Sequence, residues 1–416
     1  MSDATAEALA RHPPRLGLAA LLRSAFRHED LSVHLPSLIE RAERDDAYAL
    51  LDLALIQQMR FRKENGLALL RQALQLQQLY RIGDAPADAL HVLVIKTPGD
   101  LMANTPVECL LEDAGFRVDA LYVGAALPWP SQLPAHDLVF VAISEADAHV
   151  EVLQQLDRYL ADWSCPVLNR PARIPALSRG EAFTRLADVD AIRMATTIRV
   201  SRQALEQVAA DPARAATCLP GVGFPVIVRP LGSHAGTQLE RIATPADLGA
   251  YLAGTDASRF FVADFIDYAA PDGLFRKYRI VLIDGRPFVC HMGISQHWMV
   301  HYPYEEMTAH ADRRAEEAAC MAGFDDDFAR RHAAAFAAIA QRFGLDYIGM
   351  DCAQTADGRL LVFEFANALV VHAIDDPALF PYKAAQMRKV LGAFAGMLQR
   401  RATPDDPASP AVTHAV

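Results

Sequence analysis

Two acidic residues in the last quarter of the chain, Asp351 and Glu364, stand where they could do metal chemistry. They end the run Asp351-Cys-Ala-Gln-Thr-Ala-Asp357-Gly358-Arg-Leu-Leu-Val-Phe-Glu364. Asp357-Gly358 is a hairpin turn signal. A two-residue turn there sets Asp351 and Glu364, each six residues from it, directly opposite, with both side chains on one face. Like charges so placed repel, and a divalent cation is the simplest gain that offsets the repulsion. Two carboxylates that leave positions open for waters and phosphate oxygens describe a Mg2+ site of the kind that serves nucleotides.

Cations lie upstream. Lys277 to His291 repeats the construction, with a turn at Asp284-Gly285 that puts Lys277 and Arg279 on one strand face. They suit the oxygens of a phosphorylated substrate, or else a solvated edge. Phe224 to Pro230 reads as a strand containing Arg229, and the small-residue loop Gly232, Ser233, His234, Ala235, Gly236 and Thr237 follows it. Glycines there let backbone N–H groups approach an anion, although an ordinary hairpin turn has the same composition. The stretch His291 to Tyr302 is rich in His and aromatic residues and is expected to line an acceptor pocket. Its histidines, His291, His297 and His301, lack an acidic or Cys partner at zinc spacing. His372 and Lys383 are further candidates of the same kind.

These residues need a scaffold. At roughly 100 to 200 residues per domain, the chain length implies two to four domains. Hydrophobic residues at 52% and charged residues at 22% fit a globular chain. From about Leu16 to Tyr80 apolar residues recur at threes and fours, as in helices, with a break expected at Glu64-Asn65-Gly66. The pairing is faintly similar to a tetratricopeptide repeat, and equally to a plain helical cap or dimerisation module. At His91 the period changes. His91–Lys96, Val118–Val123, Asp137–Ala142 and Pro166–Leu168 read as strands of a parallel sheet covered by helices. The Gly99 loop between the first two lacks GxGxxG, which argues against a dinucleotide fold. A helix from Ser178 to about Val189 leads into a strand-rich region, Phe224 to Glu364. A helix from Asp325 to Arg342, closed by Gly344, interrupts that region. The expected divisions are a helical region 1–87, a parallel α/β domain 88–175, a main domain 176–400 and a flexible tail 401–416.

A net charge of −11 repels phosphate backbones and anionic lipids, so neither nucleic acid nor membrane is an expected partner. Met1 to Pro14 lacks the basic end and apolar stretch of a signal peptide, and a cytoplasmic location is expected. Six cysteines without a CxxC pair read as reduced thiols rather than zinc ligands or disulfides.

In the order of its parts the chain resembles the ATP-grasp superfamily over about residues 88 to 395. In detail it is similar to the carboxylate-amine/thiol ligase branch that includes D-alanine-D-alanine ligase, glutathione synthetase and ribosomal-protein glutamate ligases. Those families place an Asp and a Glu across a hairpin, followed by Asn, and Asp351, Glu364 and Asn367 match. The resemblance implies an α/β chain: an α+β ATP-grasp fold, a parallel α/β pre-ATP-grasp domain before it, and here an extra N-terminal helical region. It puts Arg179 and Arg229 where the family has two phosphate-binding lysines, and Gly232 to Thr237 where a loop closes over the phosphates. Asp264, Phe265 and Ile266 fall in the hinge that holds adenine, and Arg279 near the transferred phosphoryl group. Three departures stand out. Both lysines are arginines, which present a bulkier planar fork. Glu364-Phe-Ala-Asn367 is one residue longer than Glu-x-Asn, so a regular strand turns Asn367 away from Glu364 unless a bulge restores it. Gly349 stands where D-alanine ligases carry a catalytic Arg, and that activity is not expected.

The resemblance implies ADP-forming ligation through an acyl phosphate, with ATP and Mg2+ as cofactors and Lys277 and Arg279 as catalytic cations. The partners would be a small-molecule or peptide carboxylate and an amine or thiol acceptor. Two other outcomes keep the nucleotide site: a kinase for a small molecule, and a non-catalytic scaffold. The helical N-terminus could then recruit a partner or a second copy.

Overall fold

The computed structural model describes residues 15–403 apart from 84, 87, 131 and 232–237. Among the described residues four α-helices come first: Gly17–Phe26, Leu35–Ala42, Ala47–Met59 and Lys63–Leu76. Asp46 caps the third, its carboxylate accepting from the Tyr48 and Ala49 N–H groups. That helix is apolar all round because it is central: Ala49, Leu53 and Ile56 meet Leu21 and Leu38, while Leu51 and Ala54 meet Leu70 and Ala73. The break expected at Glu64-Asn65-Gly66 is not there. Those residues lie inside Lys63–Leu76, and the chain turns at Phe61, which has φ +57°. Gly66 serves a close helix crossing, since a Cβ at that position would sit 2.8 Å from the Ala54 carbonyl oxygen.

The next strands are β1 (Leu79–Gly83), β2 (His91–Lys96), β3 (Arg117–Tyr122), β4 (Leu138–Val141) and β5 (Val167–Leu168), in sheet order β1-β3-β2-β4-β5. β2 to β5 run parallel, and β1 is an antiparallel edge. β2 and β4 are buried throughout, as strands covered on both faces must be. β1 falls in a stretch that reads as helical, and Tyr80 ties it to the preceding helix through a 2.8 Å hydrogen bond to the Ala73 carbonyl. The helix expected between β2 and β3 is only Val107–Leu110.

Nine strands follow: β6 (Ile192–Met194), β7 (Thr197–Ser201), β8 (Val226–Pro230), β9 (Glu240–Ile242), β10 (Arg259–Asp264), β11 (Phe275–Ile283), β12 (Arg286–Ser295), β13 (Tyr347–Gln354) and β14 (Leu360–Ala366). β7-β10-β8-β9 form an antiparallel sheet. Its Val200, Val226, Val228, Phe260 and Val262 pack on Leu205, Val208, Leu248 and Leu252 of the helices Arg202–Ala210 and Asp247–Ala253. The alternate residues Arg199, Arg229, Arg241 and Phe261 make the other face.

The last sheet runs β12-β11-β13-β14-β6, with β6 parallel to β14. It shares one core with the first sheet, where Phe140, Tyr347 and Phe394 meet edge to face. Asn169 fastens the two sheets, its side chain pairing both the N–H and the carbonyl of Tyr347. The helix expected over Asp325 to Arg342 is two, Phe328–Arg331 and Ala333–Phe343, broken at the buried His332 and closed by Gly344 at φ +60°. The architecture is mixed α/β, the class the sequence implies. No helix among the described residues is long and apolar enough to cross a membrane.

Candidate active site

Asp351 and Glu364 are direct cross-strand partners, by a route other than a two-residue turn. Thr355 and Arg359 close a three-residue loop that ends on Gly358 at φ +84°, a common form with a left-handed residue last. That loop moves the register by one. A bulge at Phe363 moves it back, since Cys352 pairs Val362 while Asp351 pairs Glu364. The Asp284-Gly285 turn does have two residues, both at positive φ, and its hairpin bulges at Cys290. Both bulges flank one transverse row: His291 on β12, Arg279 on β11, Asp351 on β13 and Glu364 on β14. Bulges beside a site re-aim side chains, and here the Phe363 ring lies 5.8 Å from Lys277 Nζ.

Asp351 is buried and heavily solvated by cations instead of water. Lys277 Nζ lies 2.8 Å from Oδ2, Arg279 Nε 2.9 Å from Oδ1 and Arg279 Nη2 3.1 Å from Oδ2. Burial opposes ionisation, but Arg279 and Lys277 outweigh it and hold the carboxyl well below the usual carboxylate range. Glu364 accepts from Arg179 Nη2 at 2.5 Å, and Arg179 Nη1 donates to the Phe363 carbonyl at 2.8 Å. Arg179 opens the helix Arg179–Leu186. Arg229 makes no ion pair among the described residues; it lies 5.1 Å from the Phe261 ring. Burial, with Arg179 nearby, pushes its guanidinium down to about 10.

Asn367 is not brought round by the bulge, which lies on the turn side of Glu364. Instead β14 ends at Ala366 and Asn367 leaves the ladder. Its Nδ2 donates to the Ile143 carbonyl at 2.8 Å, and its buried Oδ1 has no hydrogen-bond partner. In the hinge, the Asp264 carboxylate accepts from the Gly223 N–H, and the N–H groups of Asp264 and Phe265 go to the Thr196 and Pro225 carbonyls. These two N–H groups are therefore committed within the protein. Ile266 packs on the cluster of Tyr268, Ala353 and Leu361. Gly232, Ser233, His234, Gly236 and Thr237 lie outside the described residues.

The other candidates divide. His301 is held below the ordinary imidazole value by burial and then Lys277, against the pull of Glu364 and Asp351. His291 belongs to the row itself and is held well below the ordinary imidazole value by burial and by Arg279. Lys383 is committed to a buried network with Asp375 at 3.1 Å and Glu317 at 3.4 Å, under the Tyr302 and Phe380 rings. Among the described residues no three His, Cys, Asp or Glu gather to hold a metal. All six cysteines are free.

Sequence reasoning missed Glu145, on the loop after β4. Burial above all, with the charge of Glu364 adding, pushes its carboxyl up to about 7 against the pull of Arg179 and the Asn367 N–H. The available signal was its place at the carboxyl end of a parallel strand, where such sheets bind ligands.

No family model matches the sequence, and no curated protein matches it. Among solved structures, the chain is similar to a RimK-domain ATP-grasp protein from Sphaerobacter thermophilus, at 17% identity over 74% of this chain and 99% of that one, TM-score 0.40. It is also similar to the VanG D-Ala:D-Ser ligase from Enterococcus faecalis, at 12% identity over 75% and 100%, TM-score 0.45. The ATP-grasp ligase PsnB, complexed with the precursor peptide PsnA2 and AMPPNP, matches at 15% identity over 77% and 100%, TM-score 0.42. The likeness is one of chain path and assigns no residue a role.

Proposed function

We propose that the chain is an ATP-dependent, ADP-forming ligase of the ATP-grasp carboxylate-amine type. The transverse row carries this reading. Two opposed carboxylates are neutralised by Lys277, Arg279 and Arg179, cations that suit phosphate oxygens equally well, and Arg229 makes no direct ion pair among the described residues.

Asp351 and Glu364 are the residues that would hold Mg2+, with Asn367 Oδ1 as a third oxygen. The donor set fits: all three atoms are hard oxygens, and Oδ1 is a buried acceptor without a donor. When bound, Mg2+ would neutralise the triphosphate. Arg229, Arg179 and the loop Gly232 to Thr237 would hold its oxygens, and Asp264, Phe265 and Ile266 would serve the base. An oxygen of the donor carboxylate attacks the γ-phosphorus, the bond to ADP breaks, and an acyl phosphate forms. Lys277 and Arg279 stabilise the charge on the transferring group. The acceptor nitrogen or sulfur then attacks the carbonyl carbon, phosphate departs with the C–O electron pair, and the acceptor loses a proton.

Incubation of the full-length protein with MgATP and amino-acid pools, read by ADP release and mass spectrometry, tests the reading. An amide or thioester product with ADP supports it, while a stable phosphorylated product without an amide makes the chain a kinase. Glu364→Ala should fold and release no ADP. Full activity in that variant refutes the metal assignment.

A further inference from the structure

Thr105 ties the first sheet to Asn367. It lies where the chain after β2 passes the end of β4, and both residues are fully buried. The Thr105 hydroxyl has one proton and two acceptors in reach, the Asn367 carbonyl at 2.8 Å and the Ala142 carbonyl at 3.2 Å. Ala142 already accepts from the Thr105 N–H at 2.7 Å, so the hydroxyl serves Asn367. The same sheet end holds Asn367 at a second point, where its Nδ2 donates to the Ile143 carbonyl at 2.8 Å. An amide whose nitrogen is used in this way has its oxygen turned to the other side. That oxygen, Oδ1, is the buried acceptor without a donor.

Both supports are fixed. Asn104 closes the loop before Thr105 by pairing the N–H and the carbonyl of Thr97, each at 2.8 Å, and a Cβ on Gly99 would strike Ala103. Asn104 then bridges to Ile143, and the Ser144 N–H donates to the Ala103 carbonyl at 2.9 Å. On the other side the chain folds back over β13 as it leaves β14. A Cβ on Gly349 would lie 2.8 Å from the Ala366 carbonyl oxygen and 3.0 Å from Leu369 Cδ1, so glycine there is what the fold-back needs. With β14 ended at Ala366, no ladder fixes the Asn367 carbonyl, and Thr105 takes over that role.

We propose, on the ligase reading above, that Thr105 is a positioning residue for the metal. It fixes the peptide of Asn367 and with it the placement of Oδ1 as the third oxygen beside Asp351 and Glu364. The first sheet thereby sets metal affinity together with the hairpin, as groups behind a metal's own ligands do.

The test compares binding of AMPPNP to the full-length protein by calorimetry in Mg2+ and in EDTA, since the ratio of the two affinities isolates the metal's contribution. Thr105→Ala and Thr105→Val remove the hydroxyl with and without loss of bulk. Each should weaken binding in Mg2+ roughly 10-fold and leave binding in EDTA within about twofold, the lower end for lost support of a metal ligand because Ile143 still holds the side chain. Thr105→Ser should restore the wild-type ratio. In Asn367→Ala, which lacks Oδ1, adding Thr105→Val should cost nothing more, as for two residues acting through one contact. Unchanged affinity in both Thr105 variants, equal losses with and without Mg2+, or a full further loss in the double variant overturns the proposal. A wild type that binds AMPPNP equally in Mg2+ and in EDTA refutes the metal assignment itself and the proposal with it, whereas a failure confined to the variants refutes the proposal alone.

Discussion

Asp351→Asn and Glu364→Gln each remove one charge from the same row, yet their effects on stability should differ by about 2 to 3 kcal/mol. Asp351 is 3% exposed and is the shared counter-charge of Lys277 and Arg279, whose side chains are 19% and 21% exposed. Removing it leaves two largely buried cations unpaired. Breaking a buried ion pair costs about 3 to 5 kcal/mol, and the residual water access of the two cations favours the lower figure, about 3. Glu364 and Arg179 are each about a third exposed, at 34% and 31%. A pair so placed is worth about 0 to 1 kcal/mol. Urea unfolding of the ligand-free proteins should therefore show a large loss for Asp351→Asn and almost none for Glu364→Gln, while MgATP binding is lost in both. Equal destabilisation by the two substitutions, or a Glu364→Gln protein that binds MgATP normally, would refute the division of the row into a structural end and a ligand-facing end.

Arg229→Ala should weaken ATP binding roughly 10- to 100-fold with little loss of folding stability, because the half-buried guanidinium makes no direct ion pair among the described residues; unchanged affinity in a calorimetric titration counts against its phosphate role. His291, His332 and His372 are each held by burial below the ordinary imidazole value of 6.5, so the native chain binds fewer protons than the unfolded one just below that pH. The stability they permit is complete above pH 6.5 and falls as the solution is acidified toward their native values, by up to about 1.4 kcal/mol per pH unit for each group; a flat denaturation series across this window contradicts their burial as neutral groups. Phe61 is 98% exposed at φ +57°, and Phe61→Gly should stabilise the isolated chain by about 1 kcal/mol through relief of left-handed strain. Destabilisation instead, measured together with sedimentation, would show that a second copy or another partner covers the ring.

The strands were legible wherever local pattern determines them. The runs at His91, Val118 and Asp137 become β2, β3 and β4 because buried parallel strands need unbroken apolar sequence, and Asp284-Gly285 makes the turn its residues demand. The pairing of Asp351 with Glu364 was legible for a less direct reason. The loop holds one residue more than a two-residue turn, and the bulge at Phe363 cancels the shift before the row is reached. Bulges depend on what lies across the sheet, so neither this one nor that at Cys290 leaves a local mark. Gly66 misled in the same way: it reads as a breaker, but its use is an approach to Ala54 in another helix. Glu145 was hidden because its meaning depends on Arg179, Glu364 and Asn367, which only the folded chain brings to it.

An arginine at position 179 has a physical account in this geometry. The bulge leaves the Phe363 carbonyl available next to the Glu364 carboxylate, two acceptors side by side, and the planar guanidinium of Arg179 spans both. A lysine ammonium could take either, but its point charge does not match a parallel pair. The same fork matches two oxygens of a phosphate. On the ligase reading proposed above, Arg179 would stand on Glu364 without nucleotide and turn to the nucleotide when a divalent cation takes the carboxylate, the carbonyl contact keeping it in place. Lys277 and Arg279 stand in the same relation to Asp351. The two carboxylates are thus each paired with cations in the ligand-free chain, which explains how they can face each other across a hairpin in a chain that must fold before it binds anything.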